Sequence, residues 1–143
     1  MADVAIIIVT HGNFGKELLK SVEMIMGEQK DVFVFGLNLG DDVESLRDNV
    51  KRIVDENQRE NKEIVVLVDV FGGSPSNIAL SLLEHYDVKV IVGVNMPILI
   101  EILSCRNNCG IEDLVERGYR AGIDGIKKID ISSMKHVKNR SGG

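Results

Sequence analysis

The sequence predicts an α/β fold: a doubly wound, mostly parallel open sheet with helices on both faces. Short runs rich in Val and Ile alternate with longer segments of helical period, the pattern of βαβ units. The first run, Val4–Val9, is apolar at every position, as a strand buried on both faces requires. Two runs end in glycine-bearing loops that lead straight into helical patterns, at Thr10-His11-Gly12 and at Asp69 followed by Gly72-Gly73-Ser74-Pro75. With 143 residues the chain is long enough for one domain with a full core.

The strands are expected at Val4–Val9, Val32–Leu37, Ile64–Val68 and Val88–Val92. The first helix, over Phe14–Met26, turns Leu18, Leu19, Val22, Ile25 and Met26 inward and Lys16, Glu17, Lys20 and Glu23 outward; Gly27 stops it. The second starts at Asp41, which with Glu44 matches a capping box. Its inner stripe is Val43, Leu46, Val50, Ile53 and Val54, and its charged outer face reads as solvated surface.

The third helix starts at Ser74-Pro75, with serine as N-cap and proline at the first helical position. The fourth starts near Asn95-Met96-Pro97 by the same logic. Its residues Ile98, Leu99, Ile100, Ile102 and Leu103 are apolar nearly all round, which predicts burial on the outer side too, most simply by a second subunit, with the C-terminal segment of the same chain as the alternative. A fifth helix follows over Ile111 to Ala121, and the alternating Ile126–Ile131 reads as an edge strand. The domain is therefore expected over residues 1–131, with a polar, flexible tail over 132–143.

A net charge of −5 without a basic stripe argues against a nucleic-acid partner. No apolar run reaches the roughly 18 residues of a membrane span, and no signal peptide is expected at the N-terminus. Cys105 and Cys109 do not form a disulfide framework, which fits reduced thiols and a cytoplasmic location. Without further ligands near the two cysteines, no metal site is expected, and no cofactor is implied. His85 and His136 carry no pattern that points to chemistry.

The chemistry is expected at the switch point between the first and third strands, where open α/β sheets bind their ligands. His11 and Asp69 face each other there. Asp69 is suited to accept from one imidazole nitrogen, which leaves the lone pair of the other directed outward. The helices that start after His11 and at Ser74 bring N-terminal N–H groups to an anion. Gly12, Gly72 and Gly73 allow close backbone approach, and the hydroxyls of Thr10 and Ser74 are candidate donors to phosphoryl oxygens. The residues thus point to histidine chemistry on a phosphoryl group, with no metal required.

At these residues the chain resembles the mannose-family enzyme IIA domain of the bacterial phosphoenolpyruvate-dependent sugar phosphotransferase system. The likeness rests on Thr10-His11-Gly12, Gly27-Glu28-Gln29, Val68-Asp69-Val70-Phe71-Gly72-Gly73-Ser74-Pro75-Ser76-Asn77 and Gly93-Val94-Asn95-Met96-Pro97, in order over about residues 3 to 130. Phe71 stands where the family often has tryptophan. The resemblance implies a phosphoryl carrier in which His11 accepts phosphate from HPr on Nε2, beside Asp69, and passes it to a IIB component. It also implies a homodimer whose C-terminal strand adds antiparallel to the sheet, exchanged between subunits, and association with the membrane components IIC and IID through IIB.

Three other function classes fit the sequence less well or no better. A histidine phosphatase usually needs an arginine beside its nucleophile, and neither loop carries one. A receiver or nucleotide-binding module wants acidic residues at the end of the first strand, a dinucleotide signature or a P-loop, all absent. A regulator governed by phosphorylation of His11 would use the same site and stays open on sequence alone.

Overall fold

A computed structural model describes residues 3–135. Its four strands, β1 (Val4–His11), β2 (Val32–Leu37), β3 (Glu63–Val68) and β4 (Lys89–Val92), form one parallel sheet in the order β2-β1-β3-β4. The expected doubly wound parallel core is therefore present. The chain crosses from β1 to β2 on one side, then returns past β1 to β3, which makes β1/β3 the switch point.

Side chains alternate across the sheet because a strand has period two. Ile6, Ile8, Val65 and Leu67 face one layer, built from α1 (Phe14–Met26), α4 (Met96–Cys105) and α5 (Ile111–Asp124). Ala5, Ile7, Val9, Val66 and Val68 face the other, built from α2 (Val43–Arg59) and α3 (Gly73–Leu82). β1 and β3 are central and covered on both faces, which explains their uninterrupted apolar sequence. At the far end of the sheet from the glycine-rich loops, the guanidinium of Arg106 is buried against the carbonyls of Val4, Lys30 and Asp31.

The fourth helix is resolved in favour of the same chain. α5 packs beside α4 and over β4, and its glycines allow the close approach: a Cβ on Gly118 would sit 2.7 Å from the Ile102 side chain and 3.4 Å from that of Ile91, and one on Gly122 would sit 2.5 Å from that of Ile98. The all-round apolar character of α4 is thus satisfied without a second subunit.

Local starts and edges differ from expectation in four places. Asp42, not Asp41, caps α2, because its carboxylate accepts from Glu44 N–H and Ser45 Oγ, while Asp41 accepts from Asn38 N–H in the preceding loop. α3 starts two residues early, with Gly72 rather than Ser74 as N-cap, so Ser74 lies inside the first turn. Ile25 is exposed rather than inward, since the buried stripe of α1 runs through Gly15, Leu18 and Val22. Residues 126–130 form no strand; they are exposed, and residues 131–135 turn helical. β4 ends the sheet, with no strand paired on its outer side among the described residues. His136 and the remainder of the tail, residues 136–143, lie outside the described residues.

Candidate functional site

β1 pairs with β3 only as far as Val9 and Val68, whereas it stays paired with β2 through His11 and Leu37. Beyond Val9 the two central strands part, and His11 and Asp69 meet across the opening. The Oδ2 atom of Asp69 accepts from the backbone N–H of His11 at 2.9 Å and lies 2.8 Å from its ring Nδ1. The other carboxylate oxygen accepts from Val70 N–H at 3.0 Å. Burial pushes the Asp69 carboxyl up, but the bonds from the His11 backbone and ring and from Val70 outweigh it and hold the group below its ordinary value. The carboxylate is therefore ionised at neutral pH. An ionised neighbour favours a proton on Nδ1, and that leaves the lone pair on Nε2.

The His11 side chain is 52% exposed and that of Asp69 is 11% exposed. The imidazole thus stands on an open surface while its partner is mostly covered. Nε2 faces the start of α3: a Cβ on Gly73 would lie 3.5 Å from it. Gly72 and Gly73 have φ of +92° and +82°, conformations that favour glycine and let the bare backbone run alongside the ring. The free N–H groups of the first turn of α3 lie next to this position, where a helix start favours an anion. Ser74 is half-buried in that turn.

Gly12 follows His11 with φ of +52°, and its N–H donates to Leu37 C=O at 2.8 Å. The turn this makes brings the Gly12 carbonyl onto Gly36 of β2, where a Cβ would overlap the carbonyl oxygen. Gly36 was missed in the sequence; the only trace there is a glycine inside a strand pattern, which signals close backbone approach. Thr10 is placed differently from the other candidates. It is fully buried beneath the loop, where its hydroxyl accepts from Gly15 N–H at 2.9 Å and donates to His11 C=O at 3.2 Å. His11, Asp69, Gly12, Gly72, Gly73 and Ser74 are thus gathered at one end of the sheet, with Thr10 under them.

Among the described residues no group of three or more His, Cys, Asp and Glu is arranged to hold a metal ion, and no helix is long and apolar enough to cross a membrane.

Residues 5–118 match the family described as the PTS system fructose IIA component. The chain belongs to this family. It is 35% identical over 130 residues to the mannose-specific EIIAB component of Escherichia coli K12, a match covering 88% of this chain and 39% of that protein. The chain thus spans about two-fifths of that longer relative. It is 34% identical to the fructose-specific EIIA component of Bacillus subtilis, covering 78% of this chain and 77% of the relative. Among solved structures, the EIIA component from Streptococcus agalactiae superposes with a TM-score of 0.81 at 34% identity, covering 91% of this chain and 98% of that one. The resemblance to the mannose-family enzyme IIA read from the sequence thus holds at family level.

Proposed function

We propose that the protein is a phosphoryl carrier that takes the phosphoryl group from phospho-HPr on Nε2 of His11 and delivers it to a IIB component, in the cytoplasm. The observation that carries this reading is the 2.8 Å contact between His11 Nδ1 and Asp69 Oδ2 on a half-exposed ring, with Nε2 beside the start of α3. In the transfer, the Nε2 lone pair attacks phosphorus in line while the bond from phosphorus to the donor breaks, and the donor leaves with that electron pair. The proton on Nδ1 stays in place, and Asp69 stabilises the positive charge that develops on the ring. The N–H groups at the start of α3, the Gly72-Gly73 backbone and the Ser74 hydroxyl are suited to the phosphoryl oxygens, and Gly12 leaves room on the other side. The reverse sequence passes the group on.

The surroundings favour a protein donor over a small one. The start of α1 and the loops after β2 and β3 present exposed apolar side chains at the same end of the sheet as His11: Phe14, Leu39, Val70 and Phe71. Such a patch around an open nucleophile fits transient docking of a partner. Family membership supports a partner set of HPr and IIB and, through IIB, the membrane components IIC and IID. A homodimer is part of the same proposal. Ile126, Ile129 and Ile131 are exposed, and the outer edge of β4 is unpaired among the described residues, so this segment has the composition to add to the sheet of a second subunit. Light scattering that finds only monomer at micromolar concentration would remove the dimer.

The central experiment is phosphoryl transfer from phosphoenolpyruvate through purified enzyme I and HPr, read by intact mass on wild type and His11→Ala. Wild type is expected to gain one acid-labile phosphoryl group and the variant none. Equal gain in both would place the acceptor elsewhere.

A further inference from the structure

We infer that Thr10 is a positioning residue that holds the His11 backbone so that its ring meets Asp69 through Nδ1 and presents Nε2. This rests on His11 being the phosphoryl acceptor. Both peptide groups that flank the His11 Cα are tied. The N–H on one side donates to Asp69 Oδ2, and the C=O on the other accepts from the Thr10 hydroxyl at 3.2 Å. The same hydroxyl accepts from Gly15 N–H, an N-terminal donor of α1 that no cap side chain reaches, since Asn13 makes no such bond. One hydroxyl therefore locks the acceptor loop to the first turn of α1.

The fit around it is tight. A Cβ on Gly15 would lie 3.1 Å from Thr10 Oγ1 and 2.9 Å from the Ile8 side chain, so only glycine brings that N–H within reach. Thr10 is 0% exposed, which keeps its hydroxyl from the phosphoryl group and leaves it an indirect role. The consequence is geometric. With the carbonyl released, that peptide is held only by the bond from Gly12 N–H to Leu37 C=O at 2.8 Å, and a small tilt about it lets the ring offer Asp69 either nitrogen. Small displacements of a nucleophile cost up to roughly 100-fold in rate.

Thr10→Val keeps shape and removes the hydroxyl; Thr10→Ser keeps the hydroxyl and removes the methyl. The test reads ring nitrogen chemical shifts of His11 in the unphosphorylated protein, together with the rate of phosphoryl uptake from phospho-HPr. Wild type is expected to hold the proton on Nδ1. Thr10→Val is expected to mix the two tautomers and slow uptake about tenfold or more, and Thr10→Ser to restore both. A folded Thr10→Val with wild-type ring shifts and rate would overturn the inference. If that variant does not fold, Thr10→Ala carries the same comparison, and failure of both would leave Thr10 a purely structural residue and overturn it likewise. Should wild type itself take up no phosphoryl group, the carrier reading fails, while the ring shifts still decide on Thr10.

Discussion

One carboxylate oxygen, Oδ2 of Asp69, holds His11 twice, by its backbone N–H at 2.9 Å and by its ring Nδ1 at 2.8 Å. A single atom thus bonds both the backbone and the ring of this residue. Asp69→Asn keeps the size but removes the charge, and its amide can present a donor where Nδ1 needs an acceptor. Phosphoryl uptake on His11 is expected to fall on the order of 100-fold, the scale of losing one preorganised electrostatic contact. Rapid-quench measurement with phospho-HPr checks this; an unchanged rate would reduce Asp69 to a loop brace.

The same contact predicts a pH dependence of stability. The Asp69 carboxyl lies below its ordinary value of 3.8 in the folded protein, against the opposing push of burial. A lowered carboxyl stabilises the fold fully above that ordinary value, and the contribution is lost as pH falls through the native one. Urea unfolding of wild type and Asp69→Asn should therefore show a constant gap near neutrality that narrows only in the acid limb. A gap that narrows between pH 5 and 8 would assign the linkage to another group.

Phe71 is 81% exposed on the loop between Asp69 and the start of α3. Removing its ring should cost little stability, since it buries little. If the apolar rim docks the donor, Phe71→Ala raises KM for phospho-HPr about tenfold with an unchanged melting temperature. Steady-state transfer with varied phospho-HPr distinguishes this from a change in kcat alone, which would move Phe71 from docking to chemistry.

Gly36→Ala introduces a Cβ onto the Gly12 carbonyl oxygen, which is backbone and cannot swing aside. The loop carrying His11 must shift, at a cost of about 1–3 kcal/mol, and phosphoryl uptake should fall with it. Chemical denaturation and uptake measured together check both halves. The position also marks the limit of sequence reading. Strands β1 to β4 and the His11–Asp69 pairing were legible because unbroken apolar runs fix central parallel strands, and the switch point then follows from topology. What could not be read was contact between segments: that Gly36 lies under Gly12, that Thr10 spends its hydroxyl on Gly15, and that Asp42 rather than its neighbour Asp41 turns toward the helix. The alternation in Ile126–Ile131 suggested an edge strand, yet residues 126–130 lie exposed and unpaired in the single chain. Period two states what a strand would look like, not where its partner is.

The covering of α4 by α5 yields the last prediction. Gly118 and Gly122 are one helical turn apart on α5 and meet Ile102 and Ile98 of α4. A methyl at Gly122 would sit 2.5 Å from the Ile98 side chain, which is itself buried and has little room to yield. Alanine also raises helix propensity by up to about 1 kcal/mol over glycine, so propensity and packing oppose each other here. Overpacking of a tight core contact costs about 1–3 kcal/mol, and the packing term should win, leaving Gly122→Ala less stable than wild type. Ile98→Val in the same chain keeps Cγ1 but removes Cδ1, which would lie 2.7 Å from that methyl. Alone it should destabilise by about 1 kcal/mol, but combined with Gly122→Ala it should recover stability relative to the glycine variant. Strict additivity in the double-mutant cycle, measured by urea unfolding, would mean the two helices are not in contact there, and the outer face of α4 would again require a second subunit.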